Sequence, residues 1–312
     1  MASPEEHFRG GAPGLMPTAA ELVAGEQEAG KAHEAAAAAA KPYLVIRPRS
    51  GWAALDLREL WQYRDLLLTL AIRDVKLRYK QTALGVAWVI LQPLLAAAIF
   101  TFVFGKVAKL PSDGLPYFIF AYAGMLGWNA FNSTLTKASA CIVGNNQLVS
   151  KVYFPRLILP LSTVLSTLLD FAVGLALMAV LSVLYHVAPG LGLLLLPVWL
   201  ALLIMLAVGI GTYSAALMVP YRDLQYVIPV LLQFLLYASP VAYSVAAVPK
   251  RLQMVFFFNP LSSLLEAFRW SLLGRGQLDW TAVAYAAGAT VAVFAFAAFA
   301  FRRMERTFAD VI

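Results

Sequence analysis

The stretch RDVKLRYKQTALGVAWVILQP, residues 73–93, joins a basic amphipathic segment directly to an apolar run that opens at Leu84. Four cations stand just before that run: Arg73, Lys76, Arg78 and Lys80. Cations at the end of a membrane span stay on the cytoplasmic side, because they resist translocation and favour anionic headgroups. The stretch therefore predicts a first membrane span that the chain enters from the cytoplasm.

Composition predicts an integral membrane protein. Hydrophobic residues make up 61% of the 312 positions and charged residues 13%, whereas a soluble domain is roughly half apolar and a quarter charged. The net charge of +7 lies beside apolar runs, which is typical of membrane anchoring and does not indicate nucleic-acid binding. A single cysteine, Cys141, excludes an intramolecular disulfide. With three histidines in all, we expect no metal and no cofactor on this chain.

The amino-terminal part reads as non-membrane sequence. Residues 1–42 are rich in Ala, Glu, Gly and Pro and predict a disordered cytoplasmic tail. Residues 25–31 match the start of a phosphate-binding loop, but Ala32 stands where magnesium needs Ser or Thr. We therefore expect no ATPase on this chain. Residues 43–83 form a cytoplasmic interfacial region, in which 56–72 predict a helix lying at the headgroups or, alternatively, packed on the membrane bundle.

Seven apolar stretches follow, and six of them read as membrane spans. They cover about 84–105, 115–136, 157–185, 191–219, 227–248, 254–273 and 281–301. The sixth contains Asn259-Pro260, Glu266 and Arg269, and charges and helix breakers are costly in lipid. We therefore predict a re-entrant hairpin at about 250–274 within a transmembrane domain of residues 84–301.

Charge distribution supports this topology. With six spans, both termini are cytoplasmic, including the carboxyl-terminal residues 302–312. Twelve flanking Lys and Arg residues then lie on the inner side and six on the outer side, as the positive-inside rule requires. Seven crossings would place Arg302, Arg303 and Arg306 outside, against that rule.

Two motifs carry a family resemblance. Arg78-Tyr79-Lys80-Gln81-Thr82, followed by Leu84-Gly85, Trp88 and Gln92-Pro93, resembles the start of the first span of ABC type-2 permeases that export bacterial polysaccharides. Asn259-Pro260-Leu261, Phe268-Arg269-Trp270 and Leu272-Leu273-Gly274 resemble the outer hairpin of that family. The resemblance covers residues 56–305. It implies an all-α integral membrane fold with an amino-terminal interfacial helix, six transmembrane helices and a re-entrant helical pair before the last span.

The resemblance also implies a function. A homodimer of this chain, with two ABC ATPase subunits that bind ATP and magnesium, would move a polyprenyl-diphosphate-linked polysaccharide across the bacterial inner membrane. O-antigen is the first expectation; capsular polysaccharide and teichoic acid are alternatives within the same architecture. A polytopic glycosyl- or acyltransferase is an alternative from another class, although no cluster of catalytic acids or histidines supports it.

The loop at 139–157 resembles the coupling helix that contacts the ATPase. Asn145 and Asn146 predict a helix cap, and Val149, Val152 and Tyr153 predict a contact face. The residues assigned to ATPase coupling are Asn145, Asn146, Gln147, Val149, Lys151, Tyr153 and Arg156. Lys151 and Arg156 either pair with acidic groups of the partner or anchor the loop at the headgroups.

Aromatic side chains predict a route for sugar, because sugar C–H surfaces stack on aromatic faces. The conduit candidates are Tyr117, Phe118, Tyr122, Trp128, Phe131, Tyr237, Tyr243, Phe256 and Trp270, although aromatic belts at the lipid interface explain such residues equally well. Outer-gate candidates are Asn259, Glu266 and Arg269. Candidates for the cytoplasmic entrance are Trp61, Arg73, Arg78, Tyr79 and Lys80. Asp170, deep in the third span, pairs with a neighbouring helix or contacts substrate.

Overall fold

The computed structural model describes residues 57–80, 86–276 and 278–305, and within them the chain is helical and forms no strand. The predicted tail at 1–42 and residues 306–312 lie outside the described residues. The α-helices are α1 Leu57–Gln62, α2 Arg64–Lys80, α3 Val86–Phe100, α4 Tyr117–Gly144, α5 Asn146–Lys151, α6 Ile158–Leu184, α7 Leu196–Met218, α8 Leu224–Ala238, α9 Lys250–Phe258, α10 Pro260–Leu273 and α11 Trp280–Glu305. A π-helical segment, Thr101–Val107, continues α3, and a 3₁₀ turn, Leu191–Leu195, precedes α7.

Four of the described helices are long and apolar enough to cross a membrane: Ala87–Val107, Ile158–Leu184, Leu191–Met218 and Trp280–Glu305. Helix α8 is apolar but shorter. Helix α4 has 28 residues, about 42 Å at helical rise, but its second half carries polar residues such as Asn132 and Lys137. The multi-pass character is therefore plain, while the count of six spans stays a prediction.

Helix α2 runs through the basic segment and does not stop at residue 72, where the predicted amphipathic helix ended. It extends to Lys80 and packs along α6, with Leu70 and Ala71 buried. This contact with α6 corresponds to the second of the two expectations for residues 56–72, in which the helix packs on the membrane bundle. Trp61 of α1 is exposed, with the Arg64 guanidinium 5.4 Å from the centre of its ring.

Helix α4 lies at the centre of the bundle, in contact with α3, α6, α7, α8 and α10. Small residues let its neighbours approach closely, as is usual between membrane helices. A Cβ atom added at Gly211 of α7 would lie 2.7 Å from the Cβ of Ala138 on α4. A second, smaller apolar cluster surrounds α5 and includes Leu70, Phe154 and Phe301. We call this the α5 end of the bundle.

The predicted fifth span, 227–248, is wrong in its second half. Helix α8 ends at Ala238, and residues 239–244, which we call the break segment, are not helical. The physical reason is Pro240: a residue before proline is disfavoured in helical conformation, and Ser239 is extended, with φ −115° and ψ 148°. The Ser239-Pro240 dipeptide was the sequence signal for this boundary.

Two short helices, α9 and α10, occupy the predicted hairpin and meet at Asn259. The Asn259 side chain accepts a hydrogen bond from the Leu261 backbone N–H and so caps α10. With 9 and 14 residues, neither helix reaches the roughly 20 residues that a bilayer crossing needs. A return of this pair to one face of a membrane stays a prediction.

Helix α11 follows after a left-handed turn at Gly274, with φ 62°. Asp279 caps it by accepting hydrogen bonds from the Thr281 hydroxyl and from the Thr281 and Ala282 backbone N–H groups. The bond from the Thr281 hydroxyl is the main reason that the pKa of Asp279 lies below its ordinary value.

Changing Gly124 to Ala is expected to destabilise the fold by about 1–3 kcal/mol through overpacking. The added Cβ would lie 1.8 Å from the Val241 carbonyl oxygen, which belongs to backbone and cannot easily move. The measurement is the apparent melting temperature of the purified protein in detergent. Gly288→Ala is the matched control, since nothing lies within 4 Å of its added Cβ and alanine favours helix. Equal melting temperatures for the two variants would contradict the close approach of α4 and the break segment.

Candidate functional site

A short helix, α5, occupies the loop predicted to couple to the ATPase, with Asn145 at its start. The expected side-chain cap is wrong: Asn145 occupies the cap position but makes no capping hydrogen bond. Instead its amide nitrogen donates to the Cys141 carbonyl at 2.8 Å, and its oxygen accepts from the Arg73 guanidinium at 2.8 Å. Because Arg73 lies on α2, this bond fastens the start of α5 to that helix. Arg73 also pairs with Asp74 on α2.

One residue of the predicted contact face, Val149, does not lie on the surface of α5. Val149 is 6% exposed and belongs to the apolar cluster of the α5 end, so it supports α5 from beneath and offers no surface to a partner. Tyr153 is 61% exposed. We define the docking face as the exposed candidates Asn146, Gln147, Lys151 and Tyr153.

Arg156, another coupling candidate, contacts the protein's own last described helix. Its backbone N–H donates to a Glu305 carboxylate oxygen at 3.2 Å, and its guanidinium donates to the Glu305 main-chain carbonyl at 3.0 Å. The connector after α5 is thus held by α11. The sequence predicted either an acidic group of the partner or a lipid headgroup for Arg156, and neither expectation included this contact within the chain.

Asp170 pairs with neighbouring helices. Its carboxylate lies 3.0 Å from the Arg78 guanidinium and 3.4 Å from the Lys137 ammonium, and Lys137 also donates to the Ser166 hydroxyl at 2.9 Å. Two cations therefore share one carboxylate. Asp170 lies 12 residues after the start of α6, at Ile158, which is about 18 Å along the helix. The three side chains join α2, α4 and α6 at that depth.

The outer-gate candidates surround the break segment. Arg269 is 4% exposed, and its guanidinium donates to the carbonyls of Pro240, Val241 and Tyr243 at 2.9, 3.4 and 3.3 Å. Its centre also lies 4.3 Å from the centre of the Phe120 ring, a favourable cation–π geometry. Arg269 is therefore a buried structural side chain, and it does not count among the outer flanking cations.

Three further side chains complete this network. The Tyr117 hydroxyl donates to the Ala242 carbonyl at 2.6 Å, and a Glu266 oxygen accepts from the Val245 N–H at 3.3 Å. The Asn259 amide donates to the Ser239 hydroxyl at 3.2 Å. Helices α4 and α10 thus hold the break segment from two sides.

The aromatic conduit candidates separate by burial. Tyr122, Trp128 and Phe131 lie in the bundle core with almost no exposed surface; in this arrangement they pack helices and offer no face to a polymer. Tyr237 is exposed on α8. The remaining candidates are half-buried: Tyr117, Phe118, Tyr243, Phe256 and Trp270.

Of the entrance candidates, the structure connects Arg73 and Arg78 to the bundle through Asn145 and Asp170, while Trp61 stays exposed. The side chains of Tyr79 and Lys80 lie outside the described residues.

Sequence reasoning missed several residues of these networks, and the charged residues Lys137 and Glu305 are the most informative of them. Lys137 was counted only as a flanking cation, although an ionisable residue inside an apolar helix, such as Asp170, requires a partner and so pointed to a nearby cation. Glu305 carried no such signal, because its partner Arg156 lies 149 positions away along the chain.

Comparison with known proteins identifies the region that carries these features. The family model described as ABC-2 type transporter matches residues 65–273, a range that runs from α2 through α10. The O-antigen export system permease protein RfbA of Myxococcus xanthus is 31% identical over 215 residues, covering 68% of this chain and 82% of that protein. RfbA of Klebsiella pneumoniae is 27% identical over 255 residues, covering 80% and 95%. The polysialic acid transport protein KpsM of Escherichia coli is 25% identical over 209 residues, covering 65% and 80%.

Changing Arg269 to Gln is expected to cost about 3 kcal/mol or more, since hydrogen bonds to a charged group contribute about 1.5–3 kcal/mol each. The measurement is the apparent melting temperature in detergent. Glu266→Gln is the matched control, because glutamine retains an oxygen that can accept from the Val245 N–H. A loss no larger than that of the control would show that the carbonyls of the break segment do not need the guanidinium.

Changing Asp170 to Asn is expected to lower stability more than Arg78→Gln does. The first change takes the shared carboxylate from Arg78 and Lys137, whereas the second leaves a one-to-one pair of Lys137 and Asp170. Removing one member of a buried ion pair costs about 3–5 kcal/mol; partial exposure of Arg78 places this loss below that range. Melting temperatures of the two single variants and of the double variant that combines Asp170→Asn with Arg78→Gln test this. The double variant should recover part of the stability that Asp170→Asn loses. A double variant less stable than Asp170→Asn would contradict the pairing.

Proposed function

Because the chain belongs to the ABC-2 type transporter family, we propose that it is the membrane-spanning permease subunit of an ATP-driven exporter of bacterial polysaccharide. The cargo is O-antigen linked to a polyprenyl diphosphate carrier. The single observation that carries this proposal is the match to O-antigen export permeases over most of their length and most of this chain. The subunit lies in the bacterial inner membrane with both termini in the cytoplasm, six spans and a re-entrant α9–α10 pair.

Capsular polysaccharide is the second candidate cargo. One observation favours it: the similarity to KpsM, which is named for polysialic acid transport, over 209 residues. That similarity is lower in identity and in coverage than the similarity to RfbA of Klebsiella pneumoniae. O-antigen therefore stays the first candidate.

The ATPase is a separate subunit that binds ATP and magnesium, and it contacts the docking face. This face suits a partner surface because it combines an exposed aromatic side chain, Tyr153, with the Lys151 ammonium and two amides. Aromatic side chains contribute strongly to protein interfaces. Lys151 supplies charge complementarity to acidic groups of the partner. Beneath the face, Val149 keeps α5 seated on the bundle.

The permease acts as a homodimer. One face of α8 exposes Tyr226, Val230, Phe234 and Tyr237 at helical spacing, so it is available to the second copy or to the polymer. Sugar would contact aromatic faces on this row and at the half-buried candidates Tyr243 and Phe256. These aromatic side chains carry no fixed charge, which suits a long polymer that must slide.

The carrier enters beside α2. Arg78 and Lys137 share a single carboxylate, so this group of three side chains has a formal net charge of +1, and a diphosphate headgroup would be attracted to it. ATP binding closes the ATPase pair and displaces α5, and the helices around α5 open the aromatic-lined route. This chain carries out no bond chemistry.

We expect an ATPase subunit to be captured with the affinity-tagged wild-type chain from native membranes in mild detergent. We also expect a strain that lacks this chain to accumulate lipid-linked glycan inside the cell. Mass spectrometry of that glycan separates O-antigen from capsular polysaccharide. A strain with normal surface polysaccharide and no accumulated glycan would contradict the export function.

The same capture tests the docking face. The double change Lys151→Ala and Tyr153→Ala should reduce recovery of the ATPase about thirtyfold, since truncating a central interface residue costs about 2 kcal/mol. Val149→Ala is the matched control: it should lower the melting temperature while the assembled fraction keeps its ATPase. Equal ATPase recovery with the double variant and the wild type would exclude this face.

A further inference from the structure

Helix α11 joins the α5 end of the bundle to the α9–α10 pair. It contains 26 residues, about 39 Å at helical rise. Near one end, Phe301 is fully buried in the apolar cluster that also holds Val149 and Phe154. Near the other end, Trp280 and Tyr285 contact the helix pair. A single stiff element therefore touches both regions.

The contact at the α5 end is specific. Arg156 donates twice to Glu305, once from its backbone to the carboxylate and once from its guanidinium to the main-chain carbonyl. Arg156 lies five positions after Lys151, the last residue of α5. Its side chain is 19% exposed and that of Glu305 is 28% exposed, so both are mostly buried. A shift of the connector after α5 must either carry Glu305 with it or break both bonds.

The contacts at the other end involve both helices of the pair. The Tyr285 ring stacks on Phe257 of α9, with ring centres 5.5 Å apart, and lies edge-on to Phe258 at 6.1 Å. The Tyr285 hydroxyl also donates to the Phe258 carbonyl at 3.5 Å. Trp280 meets Trp270 of α10 at 6.3 Å between ring centres. Displacement of α11 along or about its axis would therefore disturb α9 and α10 together.

We propose that Arg156 and Glu305 are positioning residues, which make α11 follow α5 and so transmit displacement of α5 to the α9–α10 pair. This inference rests on the proposed function, in which an ATPase displaces α5. In this role Arg156 acts inside the permease, whereas the docking face contacts the ATPase. Packed helices move as bodies between alternative arrangements and are not continuously deformable, so one contact at the end of α11 can control the position of its far end.

Helix α4 also connects α5 with α10. This second connection determines which part of the α9–α10 pair should respond when the contact between Arg156 and Glu305 is lost. It runs directly into α5 in the chain, and a Cβ added at its Gly127 would lie 2.9 Å from the Phe268 ring of α10. Helix α10 thus retains a connection to α5 without Glu305. Helix α9 meets α11 through Phe257 and Phe258, so residues 250–258 should report the contribution of α11.

Hydrogen exchange of the whole complex, measured by mass spectrometry in lipid nanodiscs, tests the inference. The wild-type complex is compared without nucleotide and after trapping with ADP and vanadate. We expect trapping to change exchange about threefold or more both at 146–153 and at 250–258, since local opening reports local contacts. Glu305→Ala removes the carboxylate that accepts from the Arg156 N–H but keeps the main-chain carbonyl, so the change at 146–153 should remain and the change at 250–258 should fall to less than half.

Two variants serve as controls. Glu305→Gln retains an oxygen that can accept from the Arg156 N–H and should preserve the response at 250–258. Arg303→Ala removes an exposed charge from the same turn of α11 and should change neither response. In transport assays, Glu305→Ala should hydrolyse more ATP for each exported polymer than the wild type, which a general loss of folded protein would not produce.

The outcomes separate the two proposals. A response at 250–258 in Glu305→Ala equal to that of the wild type would overturn the role of Arg156 and Glu305 and leave the proposed function standing. A wild-type response confined to 146–153 would overturn it as well. If no ATPase accompanies the wild-type chain, the proposed function fails, and this inference fails with it.

Discussion

The buried guanidinium of Arg269 is the interaction on which the rest of this structure depends. An apolar environment supplies no hydrogen bonds to irregular backbone, so a broken helix at membrane depth is tolerated only where protein groups satisfy its carbonyls. Arg269 and Tyr117 do this for the four consecutive carbonyls of residues 240–243. With these carbonyls paired, α8 can stop at Ala238 and the chain can form two short helices before α11.

The same network assigns a structural part to residues that sequence reasoning placed at an outer gate. Asn259 caps α10 and contacts Ser239, while Glu266 accepts from the backbone that follows the break segment. These bonds hold α10 to the part of the chain that follows α8. Any opening at this site would therefore move the network as one body, because breaking it would expose unpaired backbone groups.

Sequence reasoning succeeded where one long apolar run makes one helix. The stretch predicted at 157–185 is α6, Ile158–Leu184, because its length and hydrophobicity allow few other structures. It failed at 227–248, where continuous hydrophobicity hid the end of α8 at Ala238. The short helix predicted in the loop at 139–157 is present as α5, but Val149 was placed on its outer face and is buried. Helical spacing states which residues share a face and not what that face meets.

The sequence by itself determined the membrane class, the helical fold and the family, because composition, apolar length and two motifs are properties of the chain alone. Only the tertiary structure decided that Lys137 pairs with Asp170 and that Arg156 binds Glu305. The physical reason lies in the membrane: lipid and protein interior are both apolar, so hydrophobic patterning does not distinguish a face that meets lipid from one that meets another helix. Polar side chains in such helices find partners by three-dimensional packing, which no local pattern records.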